Sequence, residues 1–367
     1  MSRVAFYGSS LLSSYWNGAA TYYRGLLRAL AALGHDITFY EPDAYDRGAH
    51  RDIAPPGWAR VVVWEASPRG LAAAAAQASE ADVVIQASGV GYEDEDLLHA
   101  VMAAARPGAL RIFWDVDAPA TLALLRAEPD HPLRRMLPDL DMVLTYGGGA
   151  PVMAAYRALG ARACRPIYNA LDPDTHRPAP AEARFAADLS FLGNRLPDRE
   201  TRVGEFLVRP ALLRPDQRFL LAGSGWGGAA FPGNLRVHGH LGTADHNTFN
   251  ASARMVLNIA RDSMAATGFS PATRVFEAAG AGACLVTDAW EGIGMFLEPG
   301  REILVARDGA DVAEALTSVG AEDCRRIGAR ARARLLAEHT YAHRAEEVDG
   351  ILRRLSPGTG HPMEATL

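Results

Sequence analysis

Short apolar runs alternate with helical patterns along most of this chain, and no other feature of the sequence constrains its fold as strongly. In the first half the runs are Val4 to Tyr7, Asp36 to Tyr40, Val61 to Trp64, Val83 to Gln86, Leu110 to Trp114, Met142 to Thr145 and Arg165 to Tyr168. Between most of them lie helical patterns, at Ala19 to Leu33, Pro68 to Ser79, Asp94 to Ala105, Pro119 to Arg126 and Ala150 to Leu159. Strands separated by crossover helices pair in parallel, so the first half reads as a Rossmann-like domain. From Leu171 to Ala187 the pattern stops; prolines at 173, 178 and 180 mark a linker. A second alternation then begins, with strands at Leu189 to Leu192, Phe219 to Ala222, Leu235 to His238, Met255 to Ile259, Cys284 to Thr287 and Ile303 to Ala306. Helices are expected at Arg199 to Leu207, at Asp245 to Ala251 and through to Leu352. The expected organisation is α/β: a domain over residues 1–170, a linker over 171–187, and a second domain over 188–340. A helix over 341–356 is placed to pack back on the first domain, and 357–367 reads as a flexible tail.

At 367 residues the chain is long for a single core, which also favours two domains. A net charge of −6 supplies no basic field for nucleic acid or an anionic membrane. Cys164, Cys284 and Cys324 lack the paired spacing of a zinc site or a disulfide framework, which fits a reducing cytoplasm. The N-terminus reads as a strand rather than a leader, and no apolar run approaches membrane-spanning length.

The stretch from Ser270 to Asp288 starts a helix and then enters a strand. Ser270 suits the N-cap and Pro271 the first helical position. The free amides and positive end of such a helix attract phosphate, and Thr273 and Arg274 add a hydroxyl and a fork of donors. Glu277, one turn beyond Thr273, repels phosphate but can accept the hydroxyls of a ribose. A second phosphate candidate is Gly193-Asn194-Arg195 with Arg199, where a parallel strand gives way to a helix. Arg195 and Arg199 would offset charge growing on a departing diphosphate; the plainer alternative is that they pair on the surface with Asp198 and Glu200. For the nucleobase, Ala222 to Trp226 and His238 to Gly242 offer glycine-bearing strand ends, with Trp226 either stacking on a ring or fixing a loop.

In the first half, the loop from Gly8 to Gly18 follows the first strand without the Gly-x-Gly-x-x-Gly spacing of a dinucleotide site, and Glu41 alone closes the second strand. A nicotinamide dehydrogenase is thus poorly supported. Asp115-Val-Asp117 has the spacing of a metal-sharing pair, but Asp139/Asp141 and Asp172/Asp174 repeat that spacing elsewhere. The favoured role is contact with an acceptor hydroxyl, or base catalysis, by Asp115 or Asp117, with helix capping by Asp117 as the alternative.

The second half resembles the glycosyltransferase domain of the CgeB-like, spore-maturation-protein-like family. The resemblance runs from Leu189 to about Arg344, through Leu-Ser-Phe-Leu-Gly-Asn-Arg at 189–195, Arg-Val-Phe-Glu-Ala-Ala-Gly-Ala-Gly-Ala-Cys-Leu-Val-Thr-Asp from Arg274, Phe-Leu-Glu-Pro-Gly-Arg-Glu-Ile-Leu-Val from Phe296 and His339-Thr-Tyr-Ala-His-Arg. Phe113-Trp-Asp-Val-Asp-Ala-Pro-Ala-Thr-Leu carries a looser likeness in the first half. The resemblance implies the GT-B architecture, two Rossmann-like domains facing each other across a cleft. It further implies sugar transfer, independent of metal and cofactor, from a UDP-, GDP- or dTDP-linked donor held by the second domain to an acceptor held mainly by the first. It places His240 and Leu241 at the base, and Gly8, Ser9, Ser14, Trp16, Asn17 and Gly18 on the first loop, at the cleft floor. Many relatives carry a Glu eight positions before the ribose carboxylate; here that position is Phe269, so no sugar is implied. An epimerase of the same fold, or a non-catalytic sugar-nucleotide-binding protein, would share these features.

Overall fold

A computed structural model describes residues 1–15 and 17–356. The chain divides into two compact units, one of Met1–Tyr168 together with the chain from Tyr341 onward, the other of Asn169–Thr340.

The first unit is built on β1 (Arg3–Tyr7), β2 (Asp36–Asp43), β3 (Arg60–Glu65), β4 (Val83–Ala87), β5 (Leu110–Asp115), β6 (Met142–Thr145) and β7 (Cys164–Pro166). These form one sheet in the order β3-β2-β1-β4-β5-β6-β7, with every neighbouring pair parallel. Strands such as β4, buried along their whole length, need covering on both faces, and apolar helices supply it. Helix Tyr341–Leu355 packs on helix Ala20–Ala32 within this unit. Gly25 makes the approach possible, since a Cβ there would overlap the Tyr341 ring.

The second unit carries β8 (Ala187–Leu192), β9 (Phe219–Ala222), β10 (Leu235–Gly239), β11 (Ala253–Asn258), β12 (Leu285–Asp288) and β13 (Leu304–Ala306). Their order is β10-β9-β8-β11-β12-β13, again all parallel. The order reverses between β8 and β11, and the crevice beyond the carboxyl ends of those two strands is where open α/β sheets bind ligands. The corresponding reversal in the first unit lies between β1 and β4.

The segment expected as a linker contributes no strand before Ala187, yet it is tied to the second unit. Leu171 bridges to Thr340, His176 is buried, and Phe185 lies in a short 3-10 turn within the core. The single helix expected at Arg199 to Leu207 is three pieces in succession, Pro197–Val203, a π turn over Gly204–Val208 and Arg209–Leu213. A wider turn just before Pro210 accommodates a residue that cannot donate to the helical ladder. Helices Pro132–Met136 and Asp262–Thr267 were not expected, being too short to impose a periodic pattern. The tail over 357–367 lies outside the described residues. Among those described, no helix is long and apolar enough to cross a membrane.

Candidate functional site

Arg274 sits at the reversal point of the second sheet. Its Nε donates to the Leu192 carbonyl at the end of β8 (2.6 Å) and its Nη1 to Asn258 Oδ1 at the end of β11 (2.9 Å). The guanidinium lies over the Phe191 ring, 4.8 Å from its centroid. Two of its nitrogens are thereby committed to the protein, and Nη2 is directed at Gly193: a Cβ on that glycine would stand 3.1 Å from it and 3.1 Å from Nη1 of Arg199. Two guanidiniums therefore converge on the bare backbone of Gly193. Burial, then the charge of Arg199, pushes Arg274 down to about 9. Arg199 is lowered as well, chiefly by burial; its Nε has no partner, and its Nη1 reaches the Asn194 carbonyl only at 3.4 Å. Like charges held close together in a half-buried site cost free energy unless an anion joins them.

A second loop fixes this backbone. The Trp226 indole donates to the Gly193 carbonyl (2.8 Å), Ser224 N–H donates to Asn194 Oδ1 (2.9 Å), and Arg195 N–H donates to the Ser224 carbonyl (2.9 Å). Trp226 is buried and fixes the loop; it is no stacking platform. Of the two arginines weighed from sequence, only Arg199 turns toward the glycine. Arg195 is exposed and paired with Glu200, while Asp198 pairs with Arg261 at 2.6 Å rather than with Arg199.

The helix expected to begin at Pro271 spans Thr273–Gly280, with Ala272 at its N-cap and no side-chain cap. Ser270 is not the cap, because its hydroxyl donates to the Gly268 carbonyl (2.9 Å), and the Pro271 carbonyl accepts instead from Asn169 Nδ2 (3.1 Å). Phe269, at φ 48°, turns the chain just before. Thr273 and Glu277 are both half-buried, one turn apart. Glu277 Oε1 lies 3.8 Å from Nε2 of His176, a buried histidine of the former linker that sequence reasoning missed. His246 joins the same cluster: burial lowers its pKa, the Glu277 charge opposes that shift, and its ring bonds to the Leu241 backbone. Leu241 itself is buried beside Phe185 and Phe249, whereas His240 is exposed. Among the described residues, no group of three or more His, Cys, Asp or Glu is arranged to hold a metal ion.

Asp288 closes β12 and is fully buried, paired with Arg202 (2.6 Å) and accepting from Ala260 N–H. Burial raises its pKa against the pull of Arg202. The only sequence signal for Asn258 and Asp288 was a polar residue ending an apolar strand.

In the first unit the structure corrects one expectation. Asp115 is fully buried, accepts from Ser88, Thr121 and the backbone of Asp117 on Oδ1, and accepts from the Tyr156 hydroxyl on Oδ2. A carboxylate so enclosed braces the end of β5 and cannot meet an acceptor. Asp117 is half-buried and starts helix Ala118–Ala127 without a side-chain cap. The loop after β1 is rigidly tied. Glu41 accepts from the Ser10 hydroxyl and the amides of Leu11 and Leu12; the Ser9 hydroxyl donates to Asn17 Oδ1 (2.9 Å), and Asn17 donates to the Ser10 carbonyl (2.8 Å). Gly8 packs on Phe39, Ser14 is exposed and bonded to Asp52, and Gly18 is exposed. Trp16 lies outside the described residues.

Residues 199–350 match a family described as glycosyl transferase-like. No curated protein shows significant similarity to the chain. Among solved structures, Anabaena HepE in complex with UDP and glucose is 12% identical, with a TM-score of 0.69 over 96% of this chain and 100% of that one. The sucrose-phosphate synthase of Thermosynechococcus elongatus is 14% identical, with a TM-score of 0.67 over 97% and 99%. AviGT4, a glycosyltransferase involved in avilamycin A biosynthesis, is 19% identical, with a TM-score of 0.62 over 98% and 99%. The chain thus has the GT-B glycosyltransferase fold, and its residues 199–350 match a glycosyl transferase-like family.

Proposed function

We propose that the protein transfers a sugar from a nucleoside-diphosphate donor, bound by the second unit, to an acceptor bound by the first. The observation that carries this is the pair of guanidiniums converging on Gly193 at the sheet's reversal point, with Arg274 one turn before a half-buried carboxylate, Glu277, on its own helix. Arg199 and Arg274 are suited to the diphosphate and Glu277 to the ribose hydroxyls. A bare glycine backbone lets phosphate oxygens approach between the two arginines. As the bond to the anomeric carbon breaks, charge grows on the leaving diphosphate, and a fixed double cation stabilises it without reorganising. In this reading the nucleotide carries its charge to the arginines and no metal is required.

The CgeB-like resemblance of residues 189–344 and the UDP-bound structure of HepE both favour a nucleotide-sugar donor. In the first unit the tied loop after β1 and Asp117 remain the proposed acceptor contacts. Calorimetric titration with UDP, GDP and dTDP, and with their sugar derivatives, tests the reading. One of these should bind, and Glu277→Ala should weaken it by at least about tenfold, near 1.4 kcal/mol. A response to nicotinamide dinucleotides alone would overturn the proposal. Incubation with donor alone separates transfer from epimerisation, since an epimerase yields a new sugar nucleotide without acceptor.

A further inference from the structure

His176 is a buried imidazole, 4% exposed, and both of its ring nitrogens lack a hydrogen-bond partner. Its Nε2 stands 3.8 Å from Oε1 of Glu277, within ion-pair range but beyond a hydrogen bond. The backbone places it there firmly. His176 N–H donates to the Asp172 carbonyl (2.8 Å), Arg177 N–H donates to Asn247 Oδ1 (3.2 Å), and Asn247 Nδ2 donates to the Thr175 carbonyl (2.8 Å). Gly280 leaves room for the same segment, since a Cβ there would lie 2.9 Å from the His176 carbonyl. Glu277 on helix Thr273–Gly280 stands nearest the ring, His246 on helix His246–Ser252 feels the charges of His176, Glu277 and Arg274, and Asp172 and Arg177 flank His176 on its own segment. Burial lowers His246, which favours its neutral form, and its ring is committed to Leu241. From outside the helix of Glu277, His176 is the group seen within ion-pair distance of its carboxylate.

We propose that His176 is a positioning residue for Glu277: its protonated ring holds the carboxylate aligned for the ribose, so that donor binding strengthens as pH falls. This rests on the assignment of Glu277 to the ribose. Histidine changes charge between pH 5 and 8, and an ionic contact to one carboxylate oxygen leaves the carboxylate's lone pairs for two hydroxyls.

The test is calorimetric titration of the full chain with UDP-glucose, GDP-mannose and dTDP-glucose at pH 6 and pH 8. These diesters lack the ionisation near pH 6 of a terminal phosphate. The sugar nucleotide that binds should do so at least about threefold more tightly at pH 6. His176→Gln should bring the ratio close to one while keeping the pH 8 affinity within about threefold, and Glu277→Gln should abolish the same ratio by removing the other partner. If His176→Gln keeps the wild-type ratio, the inference is overturned. Should that variant fail to fold, Glu277→Gln decides alone, and an unchanged ratio again overturns it. A wild-type ratio near one does the same. If none of the three nucleotides binds, or if Glu277→Gln leaves the affinity at pH 8 unaltered, the donor-site assignment itself fails, an outcome distinct from loss of the pH dependence only.

Discussion

Arg199 and Arg274 face the same glycine, but the protein holds them in different ways, and substitution should separate those ways. Arg199 has an unpartnered Nε and one long bond, and its charge disfavours that of Arg274. Arg199→Met removes a repulsion and loses little, so it should leave the melting temperature unchanged or raise it by about 2 °C. Nucleoside-diphosphate affinity should meanwhile fall by at least about tenfold. Arg274→Met strips bonds from the Leu192 carbonyl and Asn258, so it should destabilise by about 1–3 kcal/mol as well as abolish binding. Melting curves with and without UDP check both. A second residue-scale prediction concerns Asp94, whose pKa burial raises to about 6 although the Gly91 amide and Arg47 pull it down. A carboxyl raised above its unfolded value stabilises fully below about pH 4, and that contribution is lost as pH rises through 6. Asp94→Asn keeps an acceptor for Gly91 N–H without the charge. It should therefore be more stable than wild type at pH 8, by about 1–2 kcal/mol, and match it near pH 4, as unfolding at the two pH values would show. An equal gap at both pH values would show that the charge is not the cause. Sequence could nominate Arg199 and Arg274 because arginine near a strand end or a helix start is a local pattern. The pairings of His176 and Asp288 stayed hidden because their partners, Glu277 and Arg202, lie far away in the chain.

The two loops at the carboxyl edge of the second sheet interlock through glycine. Gly223 has φ 131°, and a Cβ there would overlap the Gly193 carbonyl, a backbone atom with nowhere to go. Gly223→Ala should therefore unfold the edge of the second unit, seen as a large loss of melting temperature. Gly193→Ala is the more informative change. Its added methyl would meet the tip of the Phe191 ring at 2.8 Å and the two guanidinium nitrogens at 3.1 Å. Flexible side-chain ends can yield, so the variant should fold with a loss of about 1–2 kcal/mol. The methyl nonetheless occupies the space between the arginines, and affinity for the nucleoside diphosphate should fall by at least about tenfold. A Gly193→Ala protein that binds UDP like wild type would place the diphosphate elsewhere. The strands of both sheets were legible because buried parallel strands write themselves as short apolar runs. The start of helix Thr273–Gly280 was misplaced by two residues. Ser270-Pro271 carries a good local cap signal, but Asn169 takes the Pro271 carbonyl from about a hundred positions away, and tertiary bonding prevailed over the cap.

Each unit carries its own parallel sheet and core, so each has the means to unfold by itself. Two Rossmann-like halves were legible from alternation alone, because βα periodicity leaves few topologies open. What periodicity cannot show is which unit a terminal helix joins. Helix Tyr341–Leu355 belongs to the first unit, where Arg344 donates to the Tyr168 carbonyl (3.3 Å), His35 meets Asp349 at 3.1 Å, and the Tyr341 ring lies against Gly25 and edge-on to Tyr22. Truncation after Thr340 would remove the Tyr341 ring that packs edge-on against the fully buried Tyr22, while removing no strand from either sheet. Losing the burial of one such large side chain costs about 2–3 kcal/mol, a sizeable share of a domain's stability. The truncated chain should lose the cooperative calorimetric transition of its first unit and keep that of its second, including the upward shift of that transition by UDP. Gly25→Leu, which forces the same two helices apart in the intact chain, should reproduce the effect. Transfer activity should vanish in both proteins while binding of the nucleoside diphosphate persists, because the proposed donor groups Arg199, Arg274 and Glu277 all lie within Asn169–Thr340. Loss of UDP binding on truncation would show instead that the terminal helix supports the donor site, and that the second unit does not hold the nucleotide by itself.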